Sequence, residues 1–310
     1  MIFIPFTWLP RERAVIEDTL KQVALAAGAA EVLVVYFLSG IVLGPGPGAL
    51  AALLAAFLPP MYSRLLLAMW PSIAGHLLDS LTVITVLMLA KEPDRLSRLA
   101  TFVGTTLASL LIYVGSLFNL GAFVGCASLA SLRLAPRLLA ASAVPVGIAI
   151  GWLYGGFTST FLREMVPALW AARDLTRAGA EATMGEGLTS AFARIPLFYG
   201  YGYPALAIAG ILVMRRRVPG SVFRMIAAYG LAFLLLVVLR GASGGLFKDL
   251  KEILFVGPLV AFTSGVSLEA LAARGGYGKL GAGLITLGLI LFGLEKYRSY
   301  LAAYASLAGL

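Results

Sequence analysis

The sequence predicts an all-α protein: a polytopic membrane helix bundle of about ten spans with short interfacial helices, forming one transmembrane domain over residues 1–310. Three observations predict it. Hydrophobic residues make up 60% of the chain and charged residues only 13%, with a mean hydropathy of +0.93, far from the average soluble domain. Apolar stretches recur along the whole length, and a helical span needs about 20 mostly apolar residues. Basic residues, finally, crowd into alternate loops.

The spans are expected at 22–43, 48–58, 72–90, 99–115, 118–132, 138–153, 203–214, 222–239, 253–272 and 280–294. Turn signals separate them: GPGPG at 44–48, Pro59-Pro60, Pro136, and Arg-Val-Pro-Gly at 217–220. The 48–58 and 203–214 stretches are short and are expected to extend into their loops. No soluble domain or internal repeat is visible.

Alternation sorts the loops into two sets. One set holds 44–47, 91–98, 133–137, 215–221 with Arg224, and 273–279. It carries Lys91, Arg95, Arg98, Arg133, Arg137, Arg215, Arg216, Arg217, Arg224, Arg274 and Lys279, which is 11 of the 24 basic residues. The positive-inside rule makes this set cytoplasmic. Most acids fall on the other side, so the N-terminus and the long segment 154–202 are expected outside a plasma membrane. In 154–202, aromatics alternate with Arg163, Arg173, Arg177 and Arg194, which reads as short interfacial helices roofing a cavity, or as a structural cap.

Residues 1–21 form an external interfacial segment. Residues 11–27 follow Pro10 at a favourable helix start, and Ile16, Leu20, Val23 and Ala27 repeat at helical spacing, as in an amphipathic helix at the membrane surface. An external N-terminus with no span ahead of it reads as a protein entered partway.

Composition also excludes classes. The net charge of +9 sits in short loops between apolar spans, a pattern of topology and anionic-lipid contact rather than of nucleic-acid binding. With one His and one Cys, Cys126, an ordinary zinc site is nearly excluded and no internal disulfide can form. Asn119 and Gln22 are the only amide side chains, a scarcity that fits a thermophile.

Only three acids lie inside spans: Glu31, Asp79 and Glu269. Such groups are costly in lipid and default to functional candidates. His76 stands three residues before Asp79, on the same face of one helix. The pair reads either as a proton relay in which Asp79 orients the imidazole or as a hydrogen-bonded lock between helices. Glu31 must face protein, and Glu269 has Arg274 nearby for a local ion pair. Gly40-x-x-x-Gly44 and Gly151-x-x-x-Gly155 have the spacing of close helix contacts.

The run ALAALLAAFLPPMYSRLLLAMWPSIAGHLLDSLTVITVLMLA, an Ala/Leu-rich span ending at a Pro turn and followed by Tyr62-Ser63-Arg64, resembles the GT-C superfamily of membrane glycosyltransferases. That superfamily includes protein O-mannosyltransferases and lipid A aminoarabinose transferases. LRGASGGLFKDLKEILFVGPLVAFTSGVSLEAL is similar to its external basic segment leading into a Pro-containing late span. The chain departs from the family in lacking the first span and most of the first external loop, where the catalytic acid belongs. Met69-Trp70-Pro71-Ser72 also stands where many relatives carry an acid.

The resemblance implies transfer of a hexose or pentose from a polyprenyl-phosphate donor at the outer face, by displacement of the phosphate. That reaction needs a carboxylate base and cations for the departing phosphate. Arg64, Lys251 and Lys248 are the implied phosphate ligands; a membrane anchor and solvated helix-start charges are the blander readings. Glu17 and Asp18, with Asp79 and His76, are weak candidates for the catalytic role. Tyr62, Trp70, His76 and Asp79 would wall the cavity. No cofactor is fixed, though a divalent metal is compatible with such chemistry. Implied partners are membrane lipid, the polyprenyl-phosphate sugar and a subunit supplying the missing loop. The alternatives are a truncated or non-catalytic form, a lipid or solute transporter, or a non-enzymatic subunit needing a catalytic partner.

Overall fold

The computed structural model describes residues 13–61, 70–113, 115–155, 163–164, 192–193, 195–242 and 254–308. Among the described residues the fold is all-helical and contains no strand. In chain order the helices are α1 (Arg13–Leu43), α2 (Pro45–Ala56), α3 (Trp70–Lys91), α4 (Leu96–Ile112), α5 (Ser116–Ala130) and α6 (Ala135–Ile148). Then come α7 (Gly202–Arg217), α8 (Gly220–Ala242), α9 (Gly257–Ala272) and α10 (Gly276–Ala308).

Each expected span falls on one of these helices. Among the described residues five segments are long and apolar enough to cross a membrane: Asp18–Leu43, Ser72–Lys91, Ala135–Trp152, Gly220–Leu239 and Gly276–Ala303. The others run from 12 to 17 residues. At 1.5 Å per residue the shortest, α2, is only about 18 Å long, against a hydrocarbon core of about 30 Å.

The expected breaks fall where backbone chemistry puts them. Gly44, at φ 99°, turns the chain between α1 and α2 in a conformation that favours glycine, and a proline opens α2. Val218, ahead of Pro219, is extended at φ −113° and ψ 152°, as a residue before proline tends to be. Within α6, Pro145 removes a backbone donor, and one turn later the helix widens into the π-helical segment Ala149–Tyr154. One boundary differs from expectation. The interfacial stretch and the first span form a single 31-residue helix, α1, because no proline interrupts the sequence from Arg11 to Leu43. Leu20, Ala24 and Ala27 are buried on its inner face, whereas Val23 is exposed.

At the centre of the bundle lies α9, where every residue from Gly257 to Leu268 except Val260 is buried. Lipid tails are as apolar as leucine, so helices in a bilayer associate through close packing and interhelical hydrogen bonds. Both occur here. A methyl group on Gly265 would come within 2.6 Å of Ala51 N on α2, and one on Gly210 of α7 would run into Thr263 O. Ser267 Oγ donates to Leu206 O at 2.5 Å, and Tyr203 Oη to Leu54 O at 3.3 Å. Gly40, Gly44 and Gly151, by contrast, face open space. The close contacts use single glycines rather than the spaced pairs.

The basic loops come together at one end. Lys91 donates to Ile41 O at 2.5 Å, tying the end of α3 to the end of α1. Arg137 bonds Pro93 O at 2.5 Å and Asp94 Oδ1 at 2.7 Å, joining the α3–α4 loop to the start of α6. Arg95 and Arg98 share Glu92 at 3.0 and 2.9 Å. Glu269 pairs with Arg217 of α7, a correction to the expected local pair with Arg274.

Candidate functional site

Away from the basic end, α3, α4 and α5 enclose a polar cluster inside apolar packing. Its centre is Asp79, which is 0% exposed, with His76 at 1%. A buried carboxylate requires donors, and two reach it. Ser109 Oγ of α4 donates to Oδ1 at 2.6 Å, and Asn119 Nδ2 of α5 donates to Oδ2 at 3.0 Å. Ser109 Oγ also lies 2.8 Å from Ser116 Oγ and 3.2 Å from Gly75 O. A hydroxyl carries a single proton, and the shortest contact, to the carboxylate, is the one it serves.

The chain folds this way because α4 and α5 meet in a tight turn. Tyr113 N donates to Ser109 O at 2.9 Å and Ser116 N to Tyr113 O at 3.0 Å, which brings Ser109 and Ser116 side by side. The ring of Tyr113 fills the space over Gly75, where any added methyl would collide with it. One carboxylate thus fastens three helices.

His76 Nδ1 lies 3.5 Å from Asp79 Oδ2. Neither imidazole nitrogen makes a hydrogen bond among the described residues. Asp79 thus accepts its hydrogen bonds from Ser109 and Asn119, with the imidazole at ion-pair distance beside them. The ring sits edge-to-face with Tyr113 at 5.5 Å and tilted against Phe255 at 6.5 Å. Phe255 is itself held in place, its carbonyl accepting from Tyr229 Oη at 2.5 Å.

Phe255 lies just ahead of α9, where three stretches of chain converge. A methyl group on Gly257 would meet Met61 Sδ at 3.4 Å, Leu58 at 3.6 Å and Tyr199 Oη at 3.7 Å, all ordinary contact distances. Met61 immediately precedes Tyr62 and stands three residues before Arg64. Leu254 follows the segment with Lys248 and Lys251, and Tyr199 belongs to the end of 154–202. Tyr62, Arg64, Lys248, Lys251 and most of 154–202 lie outside the described residues, as does the side chain of Trp70.

Of the acids near the N-terminus, Asp18 is exposed on α1 and pairs with Lys21 at 3.4 Å; the side chain of Glu17 lies outside the described residues. Two turns further along, Ala24 and Ala27 pack against Ile73 near the start of α3, which sets Asp18 at the same end as His76. Glu31, expected to face protein, is fully buried. Among the described residues, no three His, Cys, Asp or Glu side chains converge to hold a metal.

Sequence reasoning missed Ser109, Ser116 and Asn119. The signal for Asn119 was its rarity, since an amide in a chain with only two of them marks a place where a buried group needs a donor. Comparison with protein-family models gives no match to the chain, and comparison with curated proteins gives none either.

Proposed function

We propose that this is a membrane glycosyltransferase-like protein that takes a sugar from a polyprenyl-phosphate donor at the end of the bundle where His76 lies, the outer face by the positive-inside rule. In this reading the ten helices α1 to α10 contribute to a multi-pass bundle in the plasma membrane, with the N-terminus and 154–202 outside. The observation that carries it is the convergence at Gly257. Met61 leads directly into Tyr62-Ser63-Arg64, and Leu254 stands three residues after Lys251. Each of Arg64 and Lys251 stands three residues from its anchor, a reach of roughly 10 Å at most. Two cations so tethered can approach one phosphate together.

Departure of a polyprenyl phosphate builds charge on its oxygens. Guanidinium and ammonium groups that bind that charge more strongly in the transition state than in the ground state accelerate the step. The base that deprotonates the acceptor must reach it. Asp79 is buried and already accepts two hydrogen bonds, so its role here is to set the wall by fixing α3, α4 and α5. Asp18 and Glu17, or a carboxylate from a partner subunit, remain for the base.

The test is binding of undecaprenyl phosphate to the full chain in nanodiscs. Arg64→Ala and Lys251→Ala are each expected to abolish it. Unchanged binding in both would overturn the phosphate-site assignment.

A further inference from the structure

At the other end of α9, a cavity of about 700 Å³ opens between α7 and the α9–α10 turn, lined by Arg215, Arg216, Arg217 and Arg274 over Leu212 and Val213. Four arginines line it, and one of them, Arg217, is engaged by Glu269. Among the described residues, Arg215, Arg216 and Arg274 have no carboxylate within ion-pair distance. The neighbouring basic cluster is different. There Arg95 and Arg98 share Glu92, Arg137 takes Asp94, and Lys91 is bonded to a carbonyl. Arg133, Arg224 and Lys279 likewise have no carboxylate partner among the described residues, so what distinguishes Arg215, Arg216 and Arg274 is that they line one concave place.

The apolar surface beneath it points to the kind of anion. Leu212 and Ile208 stand one and two turns back from the arginines on α7, four residues apart and so on one face. They are 62% and 64% exposed. An acyl chain can lie along that stripe while its phosphate meets the guanidinium groups, which bind phosphate oxygens through paired N–H donors. Basic pockets of this type between membrane helices suit anionic lipid headgroups.

We infer that this pocket is a binding site for the phosphodiester headgroup of an anionic phospholipid in the adjoining leaflet. It lies at the opposite end of α9 from the Phe255–His76 contact and stands independently of the glycosyltransferase reading.

The experiment is native mass spectrometry of the full chain titrated with dioleoylphosphatidylglycerol, with dioleoylphosphatidylcholine as the neutral lipid. The pocket variant is Arg215→Gln/Arg216→Gln/Arg274→Gln. The control, Arg95→Gln/Arg133→Gln/Arg137→Gln, removes the same charge from the other basic cluster. Three basic groups at a membrane surface can change affinity on the order of 100-fold, so the pocket variant is expected to lose at least about tenfold. The control should lose less than about threefold, and phosphatidylcholine should bind weakly to all forms. Equal losses in both variants would overturn the site in favour of diffuse surface charge. So would undiminished binding in the pocket variant, or displacement of the lipid by millimolar inorganic phosphate, which would mark the pocket as taking the free anion. Leu212→Ser/Ile208→Ser keeps every charge and should also weaken phosphatidylglycerol; no effect there would overturn the lipid assignment.

Discussion

Replacing Asp79 with alanine removes the acceptor on which α4 and α5 both depend. Ser109 Oγ at 2.6 Å and Asn119 Nδ2 at 3.0 Å would each lose their partner in a buried setting. In soluble proteins a hydrogen bond to a charged group contributes roughly 1.5–3 kcal/mol. Between membrane helices the average is lower, about 0.6 kcal/mol with a maximum near 1.7, because the separated helices also find partners. Two such bonds give roughly 1–3 kcal/mol, and two stranded donors with a small cavity raise the total to about 2–4 kcal/mol. Asp79→Asn keeps the shape and one acceptor oxygen, so about 1 kcal/mol is expected from it. The assay is reversible unfolding in mixed micelles followed by tryptophan fluorescence. A double-mutant cycle between Asp79→Ala and Asn119→Ala should show coupling of about 1 kcal/mol, since the second change removes a partner already lost. Asp79→Ala within about 0.5 kcal/mol of the parent, or strict additivity in the cycle, would refute the lock.

Two further predictions concern packing and the imidazole. Gly210→Ala drives a methyl into Thr263 O and should destabilise the bundle by about 1–3 kcal/mol or more. Gly121→Ala on α5 meets open space and should be neutral or stabilising by up to about 1 kcal/mol, because alanine is the better helix former. Thermal unfolding in detergent compares the two, and equal effects would contradict the close α7–α9 approach. His76→Leu removes two buried nitrogens that make no hydrogen bond among the described residues, so stability should stay within about 1 kcal/mol of the parent. In the same variant undecaprenyl phosphate binding should weaken, and unaltered binding would show that the ring only fills space.

How legible all this was in the sequence depends on how local the cause is. Helix positions could be read because apolar length and the turn chemistry at Gly44 and Pro219 act within a few residues. The partner of Glu269 could not. Arg274 is five residues on, about 140° around the helix and beyond its last turn, while Arg217 comes from the helix alongside. Gly210 and Gly265 carry no motif, since only the identity of the facing helix makes a missing side chain useful. Ser109 and Ser116 look like ordinary polar residues in apolar helices until α4 and α5 are folded against α3. Their role is a property of the tertiary arrangement.

The arrangement also redistributes suspicion among the ionisable groups inside the bundle. The default that an intramembrane charge marks function rests on the cost of leaving it uncompensated. For Glu269 that cost is met by Arg217, and for Asp79 by two donors from neighbouring helices. His76 is the opposite case. It is as deeply buried as Asp79, yet its nitrogens make no hydrogen bond among the described residues, the nearest acceptor being Asp79 Oδ2 at 3.5 Å from Nδ1. A leucine would fill much of the same space between Tyr113 and Phe255 without burying two polar atoms. Burying an imidazole without a hydrogen bond costs stability, set against the Asp79 Oδ2 contact at 3.5 Å and the ring packing on Tyr113 and Phe255. Phe255, against which the ring rests, follows the lysine segment by a few residues. Replacing the imidazole therefore separates packing from a polar role at this end more cleanly than replacing the carboxylate, which also unfastens α4 and α5.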